Sequence, residues 1–366
     1  MKLAPGDDPL GTPWMNAVHG ELSAAAQGAF AQRADLLRHR DPAPTAEDWL
    51  RLYAEACQLR RAERLGRLAA THPRVIFGRR RPESPSFFAY TEGLSDAQHE
   101  RHFRPGSELC LLHLGTDGQT RTETLLQSPE GVIRDADVSH DASRIVFAWK
   151  RADRTDDYHL YERDMASGHL RQLTFGLGFA DYEPAYLPSG DIVFSSTRCV
   201  QTVDCWWTEV SNLYICGPDG VGLRRVGFDQ VHTICPQVLE DGTVIYTRWD
   251  YNDRGQIWPQ GLFRMNQDGT GQAELYGNSS YFPTTIAHAR GIPGTQRLLA
   301  VAMGHHTWQA GKLIAIDPAK GRQENEGVTM LAPVRPADPV RVDAYGQQGD
   351  LLRQPYPLGA PACLVR

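Results

Sequence analysis

The chain has 366 residues, with 38 Lys and Arg against 44 Asp and Glu and a formal net charge of −6. A mildly acidic surface excludes the general nucleic-acid or anionic-membrane binder, which needs a basic one. With 34 Gly and 24 Pro the composition fits a turn-rich β protein better than a helical bundle.

Residues Met1 to Gly20 are polar and broken by proline. They lack the basic and apolar regions of a signal peptide, so the sequence at face value reads as cytosolic. Residues 1 to about 44 read as loop or disorder. A helix is expected next, with Thr45 as N-cap and Glu47 and Asp48 in its first turn. Trp49, Leu52, Tyr53, Ala56, Leu59 and Leu65 recur at helical spacing, with Arg51, Arg60, Arg61 and Arg64 mostly on the other face. Residues 1–72 therefore form an N-terminal segment of loop and amphipathic helix. No apolar run anywhere approaches the roughly 18 residues of a membrane span.

From Pro73 onward, short apolar runs alternate with Gly, Asp and Pro. One unit recurs: a strand, an Asp/Gly turn, a second strand. Its copies begin at Leu109, Leu160, Leu213, Leu262 and Leu313, about 50 residues apart. A second unit interleaves with it, with an Asp- or Pro-marked start, a turn and a β-rich strand. Its copies run from Asp135 to Trp149, Asp181 to Phe194 and Thr233 to Tyr246, and a fourth opens at Tyr281 and ends at Val301. Two signatures per period give about four strands per repeat, which is one propeller blade. A stacked-hairpin solenoid is the competing fold, but the repeat is too long for one solenoid coil. The fold expected for residues 73–366 is all-β: a β-propeller of four-stranded blades, five legible and a sixth begun between Tyr356 and Arg366. On that count the chain is either a fragment or a propeller closed by N-terminal strands.

Seven cysteines, an odd number, give no closed disulfide framework. Cys199 and Cys205 flank five residues, a spacing that suits a disulfide-closed loop in an oxidising compartment. Cys216 and Cys235 read as buried small hydrophobes. No Cys-x-x-Cys pair occurs, which weakens a zinc-ribbon reading, and without Cys-x-x-Cys-His no covalent c-type haem is expected.

Loops at one end of propeller blades converge on a central channel. His232, His288, His305 and His306 fall at comparable places in neighbouring blades. They either meet there to hold zinc, copper or iron, with help from Asp181, Glu183, Asp250 or Asp253, or they hydrogen-bond neighbouring blades. Trp206 and Trp207 sit in a Thr/Asp-rich insertion, either lining a binding surface or folding back over the propeller face. Arg248, Asp250, Asp253 and Arg254 form an alternating charged run that either ties blades together or contacts a ligand. No nucleophile elbow, P-loop, dinucleotide fingerprint or His-Glu-x-x-His is present, and Ser195 and Ser196 have no His/Asp partner in their motif.

The runs Ser195 to Trp207, Arg248 to Arg254 and Phe282 to Gly294, with Gly304-His305-His306 and Ala310 to Leu313, resemble the middle-domain family of hydrazine synthase alpha subunits. The resemblance covers about residues 75 to 366. Arg171 to Phe175 with Leu187 to Phe194 look like ordinary TolB-type blades. What the resemblance implies is a propeller, export to the periplasm, and work beside other protein subunits. Hydrazine synthase alpha subunits also carry c-type haems, for which this sequence has no attachment motif. Two functions are therefore expected to compete: a non-catalytic binding or scaffold module of a larger assembly, and a metal- or haem-dependent redox enzyme or subunit with a site at the channel mouth.

Overall fold

Thr45 begins a long helix for a local reason. Its Oγ1 accepts the Asp48 N–H at 3.3 Å while Asp48 Oδ2 accepts the Thr45 N–H at 2.9 Å, a reciprocal capping box. The computed structural model describes residues 13–82, 103–204, 208–251, 259–278, 280–304, 309–333, 351–359 and 362–365. It divides into two compact units: residues 1–77 with 110–124, and residues 78–109 with 125–366.

The first unit contains α1 (Pro13–His19), α2 (Ala24–Arg38) and α3 (Ala46–Thr71). Two of these helices lie where the sequence reads as loop. The reason is visible in Ala24–Arg38, an alanine-rich stretch of strong helix formers whose N-cap Ser23 accepts the Ala26 N–H. Weak periodicity hides it, because only Phe30 and Ala34 of α2 are buried. They pack with Met15, Val18, Leu22, Trp49, Leu52 and Ala56 in one helical core. The expected stripe on α3 holds through Ala56, whereas Leu59 is exposed. Glu21 accepts from Arg60 and Arg64, and Ser23 bonds Glu63, which ties the α1–α2 turn to α3. Gly66 lets α3 approach the turn before β3, since a Cβ there would meet Thr116 O at 2.6 Å.

β1 (Arg74–Pro82), β2 (Phe103–Leu114) and β3 (Thr120–Ser128) form a three-stranded sheet in that order. Residues 74–77 and 110–124 of these strands belong to the first unit and the remainder to the second.

Four four-stranded sheets follow in the second unit. They are β4 (Val132–Val138), β5 (Arg144–Lys150), β6 (His159–Asp164) and β7 (Leu170–Gln172); β8 (Asp181–Tyr186), β9 (Ile192–Ser196), β10 (Asn212–Cys216) and β11 (Arg224–Arg225); β12 (Thr233–Val238), β13 (Val244–Trp249), β14 (Gln260–Met265) and β15 (Ala273–Tyr276); and β16 (Thr285–Gly291), β17 (Leu298–Met303), β18 (Lys312–Ile316) and β19 (Val328–Ala332). Within each, consecutive strands pair antiparallel. The last two sheets are joined by one parallel pairing, Gln260 with Thr285.

Each sheet is covered on both faces. In β9, Ile192 and Phe194 join the core shared with Val146, Leu160 and Tyr182, while Val193 joins the core shared with Val244 and Phe263. Side chains alternate between faces, so one strand serves two inter-blade cores. This explains why β8, β9 and β10 are buried throughout. The outer strands β7 and β11 are only three and two residues long, and short edges recruit foreign strands poorly. Neighbouring blades are also stitched by hydrogen bonds. Tyr186 N–H donates to Asp137 Oδ2 at 3.0 Å, Thr247 Oγ1 to Ile286 O at 2.7 Å, and Tyr276 Oη to Glu324 O at 2.7 Å.

The terminal stretch differs from the single strand expected. β20 (Tyr356–Gly359) and β21 (Ala362–Leu364) pair as an antiparallel hairpin, with Tyr356 opposite Leu364. Gly359, at φ +121°, takes a backbone conformation that L side chains rarely adopt and ends the first strand. The segment before it exchanges two backbone hydrogen bonds between Leu352 and Gly311. No helix among the described residues is long and apolar enough to cross a membrane.

Candidate functional site on the inner strands

The inner strand of each four-stranded sheet carries a β-bulge at the same place. Pairing slips between Arg134 and Asp137, Tyr182 and Ala185, Ile234 and Gln237, and Ala287 and Arg290. In each slip one non-glycine residue has positive φ: Asp135 at 54°, Glu183 at 52°, Cys235 at 56° and His288 at 52°. Bulges re-aim side chains. Here the same device repeats in four blades, and it brings together four residues that lie about 50 positions apart in the sequence.

The contacts are specific. Cys235 N–H donates to Glu183 Oε2 at 2.7 Å, and Ser195 Oγ donates to the same oxygen at 2.9 Å. The other oxygen, Oε1, lies 3.5 Å from Cys235 Sγ. Cys235 Sγ is also 3.6 Å from His288 Nδ1. Glu183 and Cys235 are buried, at 6% and 4% exposure, whereas His288 keeps partial solvent access. Asp135 is clamped between guanidiniums: Arg134 Nε donates to it and Arg80 of β1 approaches within 3.6 Å. Arg134 also lies 3.7 Å from Glu183 Oε1 and sits over the Tyr158 and Tyr182 rings. Gln354 donates to Asp135 Oδ1 at 3.2 Å.

The electrostatics sort these groups by charge state. Burial opposes ionisation of Asp135, but Arg134 and Arg80 outweigh it and hold the carboxyl below its usual range. Burial, reinforced by the Asp135 charge, pushes Glu183 up. Burial and then the Glu183 charge push the Cys235 thiol well up. Desolvation pushes His288 down to about 4. The cluster therefore combines a fixed Asp135–arginine ion pair with three groups that are readily neutral.

The sequence-expected residues scatter. His288 belongs to this cluster. His232 does not: it is fully buried three residues before Cys235, its Nδ1 accepts the Ser211 N–H at 3.0 Å, and its ring lies 5.6 Å from that of Trp249. Asp181 lies at the start of β8, where Arg198 holds it through contacts of 2.7 and 2.8 Å and Ser196 donates to it at 2.6 Å. Arg248 ion-pairs with Asp229 at 3.1 Å and Asp250 at 3.2 Å, consistent with a tie between elements. The Cys199 sulfhydryl donates to Val210 O at 3.1 Å. Cys216 is fully buried, as expected of a small hydrophobe. Cys205, Trp206, Trp207, Asp253, Arg254, His305 and His306 lie outside the described residues.

Asp135 and Cys235 are absent from the sequence-expected site. Their signal is positional, since both occupy the third or fourth place of the recurring inner strand, level with Glu183 and His288. Burial alone does not distinguish a small buried thiol from a ligand.

The chain superposes on hydrazine synthase from Kuenenia stuttgartiensis with a TM-score of 0.60 at 16% identity, covering 83% of this chain and 44% of that one. The fold is a β-propeller. TolB from Acinetobacter baumannii matches at a TM-score of 0.45 and 16% identity over 88% of this chain and 79% of that one. A putative TolB from Agrobacterium tumefaciens matches at 0.46 and 13%, over 71% and 81%. This propeller chain spans less than half the length of the hydrazine synthase chain it matches. No protein-family model and no curated protein sequence matches it.

Proposed function

We propose that this propeller is a non-catalytic binding module that docks onto other protein subunits of a larger assembly. One observation carries the reading. The connections at the end of the second four-stranded blade where its inner strand begins carry Phe175, Leu177, Val200 and Phe228, which are 64%, 65%, 79% and 72% exposed. Isolated apolar residues on a surface are ordinary, but four large ones on the connections of a single blade end have the character of an interaction surface. Arginines accompany them, with Arg225 5.0 Å from the Phe228 ring and Arg198 bonded to Phe175 O. Aromatic and Arg side chains together are typical of the centre of protein interfaces. Trp206 and Trp207 belong by sequence to the same connection as Val200. The likeness to a chain whose other half lies outside the match supports the same reading.

The test is the size of the particle that holds the chain in extracts of its source cell. A tagged chain is expected to migrate well above its 40.8 kDa. The triple variant Phe175→Ser, Val200→Ser, Phe228→Ser is expected to fall back to the monomer position with an unchanged melting curve. A wild-type chain that migrates as a monomer, or a triple variant that stays in the large particle, overturns the proposal.

A further inference from the structure

We propose that Glu183, Cys235 and His288 form a binding site for one divalent transition-metal ion of the zinc class. One donor atom from each of the three, a carboxylate oxygen, the Cys235 sulfur and an imidazole nitrogen, all lie within 4.8 Å of one another. Two of the edges are 3.5 Å, from sulfur to Glu183 Oε1, and 3.6 Å, from sulfur to His288 Nδ1. Zinc bonds of about 2.0 to 2.3 Å set at tetrahedral angles require donor–donor edges of roughly 3.3 to 3.8 Å. The observed edges fall in that window before any ion is added.

The donor chemistry selects the ion. A thiol and an imidazole exclude calcium and magnesium, which take oxygen ligands. Sulfur, nitrogen and one carboxylate oxygen suit zinc and its neighbours. The surroundings support each donor. Ser195 Oγ and Cys235 N–H both occupy Glu183 Oε2, which leaves Oε1 aimed at the sulfur. Each donor stands on a bulged strand of a different blade, so the fold presents them without a mobile loop.

Charge balances as well. Binding releases the Cys235 proton, and with it the proton of Glu183 where that carboxyl is neutral, to solvent, so thiolate and carboxylate together neutralise the dication. The Arg80 guanidinium faces Asp135, and Arg134 is shared between Asp135 and Glu183 Oε1, 3.7 Å away, so it favours the ionised carboxylate that the ion needs. Three protein donors leave a fourth position for water or an external ligand. The partial exposure of His288 provides the route by which an ion reaches the site.

The experiment uses the full chain stripped with a chelator and titrated with zinc, and separately with cobalt(II). One equivalent of zinc is expected to bind and raise the melting temperature. Cobalt is expected to give tetrahedral ligand-field bands together with a near-ultraviolet thiolate charge-transfer band. Cys235→Ser should abolish that band, and His288→Gln should weaken zinc binding by about 100-fold or more. His140→Gln, on an exposed turn, should leave both unchanged. Absence of stoichiometric binding, or a cobalt complex of the wild-type chain without a thiolate band, overturns the proposal even if a variant fails to fold. Binding that survives both Cys235→Ser and His288→Gln overturns it too.

Discussion

His232 shows how a residue can carry the chemical type of a ligand and serve the fold instead. Its ring is buried, burial pushes its pKa down to about 3, and its Nε2 has no hydrogen-bond partner among the described residues. The folded state therefore keeps it neutral, whereas the unfolded chain protonates it near 6.5. Above that value the residue gives no pH dependence. As pH falls from about 6.5 the unfolded state takes up a proton that the folded state refuses, and stability declines toward pH 3. One such proton corresponds to about 1.4 kcal/mol per pH unit. Between pH 6 and 5, above most carboxylates, urea midpoints of His232→Gln should fall less steeply than those of the wild type. Equal slopes would refute this assignment. His288 has the same type and the opposite surroundings, next to a sulfur and a carboxylate. Residue identity alone does not separate the two. The blade register does, because His232 lies three places before the bulge and His288 lies at it.

At the scale of elements, turn chemistry was the most legible part. The Asp/Gly signature corresponds to tight turns in which an Asp side chain accepts the N–H two residues on, as Asp117, Asp219, Asp241 and Asp268 do. Gly190 and Gly242 close equivalent hairpins at φ +90° and +82°, donating back to Leu187 and Leu239. Ala142 does the same in the first four-stranded blade, at φ +55° and donating to Ser139. An alanine in the left-handed region is strained, and the strain exceeds the entropy glycine loses on folding. Ala142→Gly should therefore stabilise the chain by about 0.5 to 1 kcal/mol, read as a higher urea midpoint with an unchanged slope. A lower midpoint would contradict the reading. The helices were less legible. α3 announces itself by its cap and stripe, but α2 buries only two residues and reads as loop or disorder from sequence. The inner-strand bulges were not legible at all, since one extra residue in a β-rich run leaves no periodicity to detect.

At the scale of the molecule, the interleaved repeats specify both the propeller and the place where chemistry gathers. Each repeat contributes one bulged residue, and four repeats bring Asp135, Glu183, Cys235 and His288 together, two of them buried and two partly exposed. The sequence showed the period and therefore the blades. It could not show which of the many polar residues share a level, because that depends on where pairing slips. The exposed apolar end of the second four-stranded blade and the buried cluster are separate features, so loss of one leaves the other testable. The most direct measurement is a crystal structure of the zinc-loaded chain with anomalous scattering recorded at the zinc edge. It should show one strong peak bonded to Glu183, Cys235 and His288 at about 2.0 to 2.3 Å. A peak elsewhere, or three side chains that do not converge, would contradict the account.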